Sequence, residues 1–63
     1  MEIGKKIKFI RKSMGINQNK LAQLSGISNT YLSDIENLRT VPSLKTINSL
    51  AIALEVSLKD LLD

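Results

Sequence analysis

Apolar residues recur along the chain at three- and four-residue steps in several segments separated by short breaks. This spacing predicts an apolar stripe on one face of an α-helix in each segment. No stretch alternates apolar and polar residues as a half-buried strand would. The sequence therefore predicts an all-α protein with five helices, numbered α1 (Ile3–Ser13), α2 (Gln18–Ser25), α3 (Asn29–Glu36), α4 (Leu44–Leu54) and α5 (Leu58–Leu62).

The breaks between the segments contain residues that begin and end helices. Gly15 and Gly26 follow α1 and α2, where a left-handed residue commonly closes a helix. Asp60, three residues after Ser57, completes a short form of the capping box at α5. Residues that favour the N-cap position precede four helices: Asn17, Ser28, Ser43 and Ser57.

The apolar stripes predict which side chains form the core. Leu32 and Ile35 define the buried edge of α3. The predicted buried residues of the other helices are Ile3, Ile7, Ile10 and Met14 in α1 and just after it, Leu21, Ala22 and Leu24 in α2, Leu44, Ile47, Leu50, Ala51 and Leu54 in α4, and Leu58, Leu61 and Leu62 in α5.

Length and composition narrow the possible functions. The chain has 63 residues, which predicts one domain over residues 1–63, and it contains no Cys and no His. Disulfides and zinc sites built from those ligands are therefore excluded, and both of these common catalytic side chains are missing, so we expect neither an enzyme nor a cofactor. No apolar run suits a membrane span and no signal peptide precedes α1, so we expect a soluble, cytoplasmic protein.

The distribution of charge adds a weak indication of a partner. The net charge is +3, but residues 1–33 hold six of the nine basic residues and one of the six carboxylates. A basic half favours a polyanionic partner on one side of the molecule. A solvated lysine face without a partner explains the same pattern equally well.

The connection between α2 and α3 predicts a helix-turn-helix over about residues 18–37. The two helices are joined by a few residues that include Gly26, a spacing that fits this motif. At about 100° per residue, the face of α3 opposite Leu32 and Ile35 carries short polar side chains instead of long charged ones. Short donors and acceptors suit base edges in a DNA groove. The outward residues are Thr30, Ser33, Asp34 and Asn37, with Asn29, Tyr31 and Glu36 on the flanks.

Several of these residues occur together in a known pattern. The chain resembles the phage-repressor-like family of helix-turn-helix proteins, of the Cro, lambda-repressor or XRE type, from Ile3 to Leu62. The resemblance implies a compact five-helix lambda-repressor-like DNA-binding domain. The matching positions are Arg11, Asn17-Gln18, Leu21-Ala22, Gly26, Ile35-Glu36, Pro42-Ser43-Leu44, Ala53-Leu54 and Val56-Ser57.

The resemblance implies a role for individual side chains. Tyr31 either contacts the DNA backbone or packs at the domain edge, two alternatives of equal weight. Arg11 and Glu36, each about 70° from the inward direction of its helix, match a partly buried ion pair that ties α1 to α3. Asn29, Thr30, Ser33 and Asp34 match or adjoin base-contacting positions. Gln18, Tyr31, Asn37 and Arg39 match positions that contact phosphates.

Three residues depart from the family pattern. Leu38 stands where the family usually has Gly, so Asn37, which tolerates left-handed geometry, is expected to cap α3. Glu55 also replaces a common Gly. Phe9 replaces a usual polar residue and either covers the end of α5 or touches a partner.

The sequence thus favours a sequence-specific transcription regulator, and a repressor in particular, with double-stranded DNA as its partner. Such proteins commonly bind palindromes as dimers, so we expect a homodimer on DNA in which α5 takes part. The leucines of α5 serve equally well to close the core. The alternative function is a protein-interaction module of an antitoxin-like or anti-repressor kind. RNA binding is less favoured because Tyr31 and Phe9 are the only aromatic residues.

Overall fold

The computed structural model describes residues 2–62 of the chain. In that range the secondary structure consists of five α-helices, with no strand. The all-α prediction is therefore confirmed, and each helix has the predicted bounds: α1 Ile3–Ser13, α2 Gln18–Ser25, α3 Asn29–Glu36, α4 Leu44–Leu54 and α5 Leu58–Leu62. Among the described residues, no helix has the length and apolar character needed to cross a membrane.

Side chains cap the helix N-termini as predicted. Asn17 Oδ1 accepts from the Lys20 N–H at 2.8 Å, and Ser28 Oγ accepts from the Tyr31 N–H at 3.0 Å. Ser43 accepts in the same way at α4. At α5 the capping box is complete, because the Asp60 N–H donates to Ser57 Oγ and the Ser57 N–H donates to Asp60 Oδ2.

Left-handed residues end the helices, although not always the predicted ones. Gly15 and Gly26 have φ of 74° and 72°. Asn37 is the C-cap of α3 as predicted, but the left-handed geometry expected of it is wrong: Asn37 has φ −93° and ψ 9°, and Leu38 carries the positive φ, 62°. The Leu38 N–H donates to the Ile35 carbonyl, and the left-handed step brings the next residue back over α3. Glu55 caps α4 with φ 58°.

One core joins all five helices. Helix α2 packs against α3 and α4, and α1 packs across α3, α4 and α5. Gly4 lies directly against the carbonyl oxygen of Ile35, which brings the N-terminal turn of α1 close to the end of α3. The largest fully buried side chains are Ile7, Leu21, Leu32, Ile35, Leu50 and Leu61.

The predicted core is wrong at several leucines and one methionine. Leu24 is 51% exposed, because it lies about 110° from the direction shared by Leu21 and Ala22 on the helical wheel. Leu44, the first residue of α4, is exposed because side chains tilt toward the helix N-terminus and so beyond the core. Met14, just past the end of α1, and Leu62 are exposed as well.

Candidate nucleic-acid interface

The outward face of α3 is polar and accessible. Asn29 and Thr30 are exposed, while Ser33 and Asp34 are half-buried. Neither the side chains nor the backbone N–H groups of Asn29 and Thr30 make a hydrogen bond to a described residue. All four predicted base-contacting residues therefore lie on one helix, two of them with unused donors and acceptors.

The C-terminal end of this face is held by local bonds. Asn37 Nδ2 donates to the Ser33 carbonyl at 2.9 Å and to Ser33 Oγ at 3.3 Å. Arg39 Nη1 donates to Asp34 Oδ1 at 3.4 Å, and the Arg39 N–H donates to the Asp34 carbonyl. The chain after Leu38 therefore folds back on α3 and places a basic side chain beside the acidic one.

Tyr31 lies at the margin of the site. Its ring is half-buried and packs against the core, while the residue stands in the first turn of α3. This packing agrees with the domain-edge alternative, and the contact of Tyr31 with the DNA backbone stays a prediction. The phenol hydroxyl makes no hydrogen bond to a described residue.

The expected ion pair between α1 and α3 is present and buried. Arg11 Nε donates to Glu36 Oε2 at 2.8 Å and Nη2 donates to Oε1 at 3.0 Å, and the two residues are 7% and 4% exposed. The third arginine nitrogen, Nη1, donates to the Ile16 carbonyl just before α2. One guanidinium thus joins α1, the end of α3 and the connection into α2.

Helix α2 begins beside this ion pair. Gln18, the predicted phosphate contact, is half-buried, and its Nε2 donates to Glu36 Oε1 at 3.1 Å. The backbone N–H groups of Gln18 and Asn19 have no partner among the described residues. Free N–H groups and the helix dipole make this end of α2 favourable for an anion.

Two features of this region are not predicted by the sequence. The Gln18–Glu36 hydrogen bond joins residues 18 positions apart, and no local pattern predicts it. An open hollow of about 480 Å³ borders the start of α2 and is lined by Asn17, Asn19, Lys20 and Gln23. No pattern in the sequence predicts this hollow, although Lys20 gives its lining one basic residue. The described residues contain no cluster of carboxylates suited to a metal ion.

Comparison with known proteins places this geometry in a family. The helix-turn-helix family model matches residues 7–61. The chain is 44% identical over 57 residues to the ImmF control region 10 kDa protein of Bacillus phage phi105, covering 90% of this chain and 63% of that protein. It is 42% identical over 62 residues to the transcriptional regulator SinR of Bacillus subtilis, covering 97% of this chain and 56% of SinR. The chain therefore spans less than two thirds of either relative.

Solved structures show the same architecture. The crystal structure of SinR, the master regulator for biofilm formation, in complex with DNA superposes with a TM-score of 0.89 at 42% identity, covering 97% of this chain and 98% of that one. The P22 c2 repressor in complex with a synthetic operator gives 0.88 at 31% identity, covering 97% and 92%. The chain belongs to the phage-repressor-like, XRE-type helix-turn-helix family.

Proposed function

We propose that the chain is a sequence-specific DNA-binding domain of a transcription regulator, and that it acts as a repressor. The observation that carries this proposal is the outward face of α3, where exposed short polar side chains start at a helix N-terminus with free N–H groups. Two relatives with this fold, SinR and the P22 c2 repressor, were solved bound to DNA. The family is one of DNA-binding regulators and not of enzymes.

In this proposal α3 enters the major groove and α2 lies across the backbone. Base contacts choose the sequence, and phosphate contacts set the position of the protein on the duplex. Asn29 suits an adenine edge, and Asp34 suits a cytosine amino group. Base contacts come from Asn29, Thr30, Ser33 and Asp34. Phosphate contacts come from Gln18, Tyr31, Asn37 and Arg39.

A selection of bound sequences from a random DNA pool tests the proposal. We expect one enriched motif, and we expect Thr30→Ala and Asp34→Ala each to relax it at particular positions. Asn48→Ala is the matched control, because Asn48 is an exposed polar residue on α4 and is not among the proposed DNA contacts. Failure to enrich any motif, or an unchanged motif in both α3 variants, contradicts the proposal.

The regulator is proposed to bind DNA as a homodimer in the cytoplasm, at the nucleoid. In α5, Leu61 is buried and Leu58 is half-buried, so these two leucines close the core. Leu62 is 55% exposed and remains available to a second copy. This division supports α5 as both a core element and a pairing element.

A protein-interaction module is the second candidate. It is favoured by exposed apolar side chains outside α3, above all Phe9, which is 67% exposed and so is not buried under α5. Retention of one DNA sequence over random DNA separates the two functions. A steep salt dependence alone shows phosphate binding but not sequence recognition.

A further inference from the structure

The side chain of Gln18 is tethered to the buried ion pair. Its Nε2 shares Glu36 Oε1 with Arg11, at 3.1 Å and 3.0 Å respectively. Glu36 is buried, whereas Gln18 is half-buried in the first turn of α2. The amide therefore connects the protein interior with the surface on which a phosphate is proposed to bind.

The chemistry of the carboxylate determines how this amide is turned. An ionised carboxylate only accepts hydrogen bonds, so the NH₂ group of Gln18 faces Glu36 and the amide oxygen does not. The NH₂ group has two hydrogens, and Glu36 accepts one. The other has no partner among the described residues. A phosphate oxygen is likewise only an acceptor, so this remaining hydrogen is the group that a DNA strand can use.

Arg11 makes a carboxylate acceptable so close to a phosphate. Its two-pronged contact balances the charge of Glu36, which would otherwise repel the DNA backbone. The third contact, from Nη1 to the Ile16 carbonyl at 2.9 Å, holds the backbone just before the N-cap of α2. The same network therefore fixes both the entry to α2 and the side chain that follows the cap.

We propose that Glu36 is a positioning residue for the phosphate contact of Gln18, in addition to joining α1 to α3. The order of contacts is phosphate, Gln18, Glu36 and Arg11. The proposal rests on the proposed function, in which Gln18 contacts the DNA backbone. It differs from a purely structural role because it requires the effects of residues 18 and 36 on DNA affinity to depend on each other.

A double-mutant cycle on the full chain, with the selected DNA at fixed salt, tests this coupling. Gln18→Ala is expected to weaken binding about tenfold, the lower range for a hydrogen bond to a charged group. Glu36→Gln retains the shape but leaves one acceptor oxygen for three donors. In the Glu36→Gln background, Gln18→Ala is expected to weaken DNA binding only about twofold, a coupling typical of residues in one network. Arg39→Ala is the control, because Arg39 is a proposed phosphate contact that does not touch Glu36. It should weaken DNA binding by the same factor in both backgrounds.

The outcomes are distinct. An equal effect of Gln18→Ala in both backgrounds overturns the proposal and leaves Glu36 as a structural residue. A larger effect in the Glu36→Gln background also overturns it, because Glu36 would then compete with DNA for the amide. If Gln18→Ala does not weaken DNA binding in the otherwise wild-type chain, Gln18 does not contact a phosphate and the proposal is overturned. Absence of any selected DNA motif is instead a failure of the proposed function.

A measurement on the wild-type chain decides the matter if Glu36→Gln does not fold. The side-chain NH₂ of Gln18 is expected to be ordered in solution, with a clearly higher order parameter than the side-chain NH₂ of the exposed Gln23. On DNA the Gln18 amide should stay ordered and keep its bond to Glu36. A mobile Gln18 amide in the free protein, or loss of that bond on DNA, overturns the proposal.

Discussion

At the scale of single residues, Gly4 determines how closely α1 approaches α3. A Cβ at this position would run into the carbonyl oxygen of Ile35 and lie 2.9 Å from Leu38 Cδ2. The carbonyl belongs to the backbone at the end of α3 and cannot move aside alone. Gly4 is therefore required by the packing of two helices, although a glycine inside a helix ordinarily weakens it.

Gly4→Ala is expected to destabilise the protein by about 1–3 kcal/mol, the usual cost of overpacking a core. The loss should occur even though alanine is the better helix former by about 1 kcal/mol. The free energy of unfolding from urea titration measures the effect. Lys5→Ala, at the exposed neighbouring position, is the control and should change stability by less than about 0.5 kcal/mol. A Gly4→Ala variant as stable as wild type would show that α1 can move freely.

The pair formed by Asp34 and Arg39 separates stability from DNA binding. Their side chains are 38% and 66% exposed and 3.4 Å apart, so water screens the attraction. Arg39→Ala should therefore change the free energy of unfolding by less than about 0.5 kcal/mol. If Arg39 contacts a phosphate, the same variant should reduce the slope of log affinity against log salt by about one.

Lys59→Ala is the control for this measurement, because Lys59 is an exposed basic residue on α5 and lies outside the proposed phosphate contacts. It removes the same charge from the chain. Equal slopes for Lys59→Ala and Arg39→Ala would contradict a specific phosphate contact, since general charge would then account for both.

At the scale of helices, local chemistry predicted much of the structure. Asn17, Ser28 and Ser43 each accept the expected backbone hydrogen bond, and all five helices have the predicted bounds. These features depend on residues within one turn, so the sequence contains them. The approach of Gly4 to Ile35 and the bond from Gln18 to Glu36 depend on how separate helices meet, which no local pattern contains.

The ends of α3 and α4 show a different limit. Asn37 was the expected left-handed residue because of its propensity, but the chain turns one residue later, at Leu38. At α4 the left-handed residue is Glu55, which has a Cβ where glycine would have none. At both ends the next residue donates back to the helix, Arg39 to the Asp34 carbonyl and Val56 to the Ala51 carbonyl. These bonds hold a conformation that costs Leu and Glu about 1–2 kcal/mol.

Glu55→Gly is expected to stabilise the protein by about 1 kcal/mol, because glycine adopts φ near 58° without the Cβ penalty. Glu55 is exposed, so little packing is lost. Glu55→Ala is the matched control: it removes the same carboxylate but retains the Cβ, and it should not give the same gain. The midpoint of thermal unfolding distinguishes the two variants. A gain shared by both would point to the charge at the helix end and not to the backbone.

At the scale of the whole molecule, the polar and apolar surfaces have separate proposed uses. The polar face of α3 and the N-terminus of α2 serve DNA in the proposal, whereas the exposed Leu62 on α5 serves a second copy. One eight-residue helix can contact only a few base pairs. Two copies on neighbouring half-sites, about 34 Å apart along the duplex, extend the recognised sequence and require a pairing surface away from α3.

Leu62→Ser tests this division of the surface. If α5 pairs two copies, the variant should weaken binding to the full palindromic site by at least about tenfold, because each copy then binds without help from the other. Binding to a single half-site should be unchanged, since Leu62 lies outside the proposed DNA contacts. Gel-shift titration on both DNAs, with sedimentation to count the copies bound, measures the two effects.

Leu24→Ser, at another leucine of similar exposure, is the control for loss of an apolar surface residue. Equal binding of Leu62→Ser and wild type to the palindrome would contradict a dimer through α5. Weaker binding of the variant to the half-site would show that the substitution disturbs the fold of the monomer.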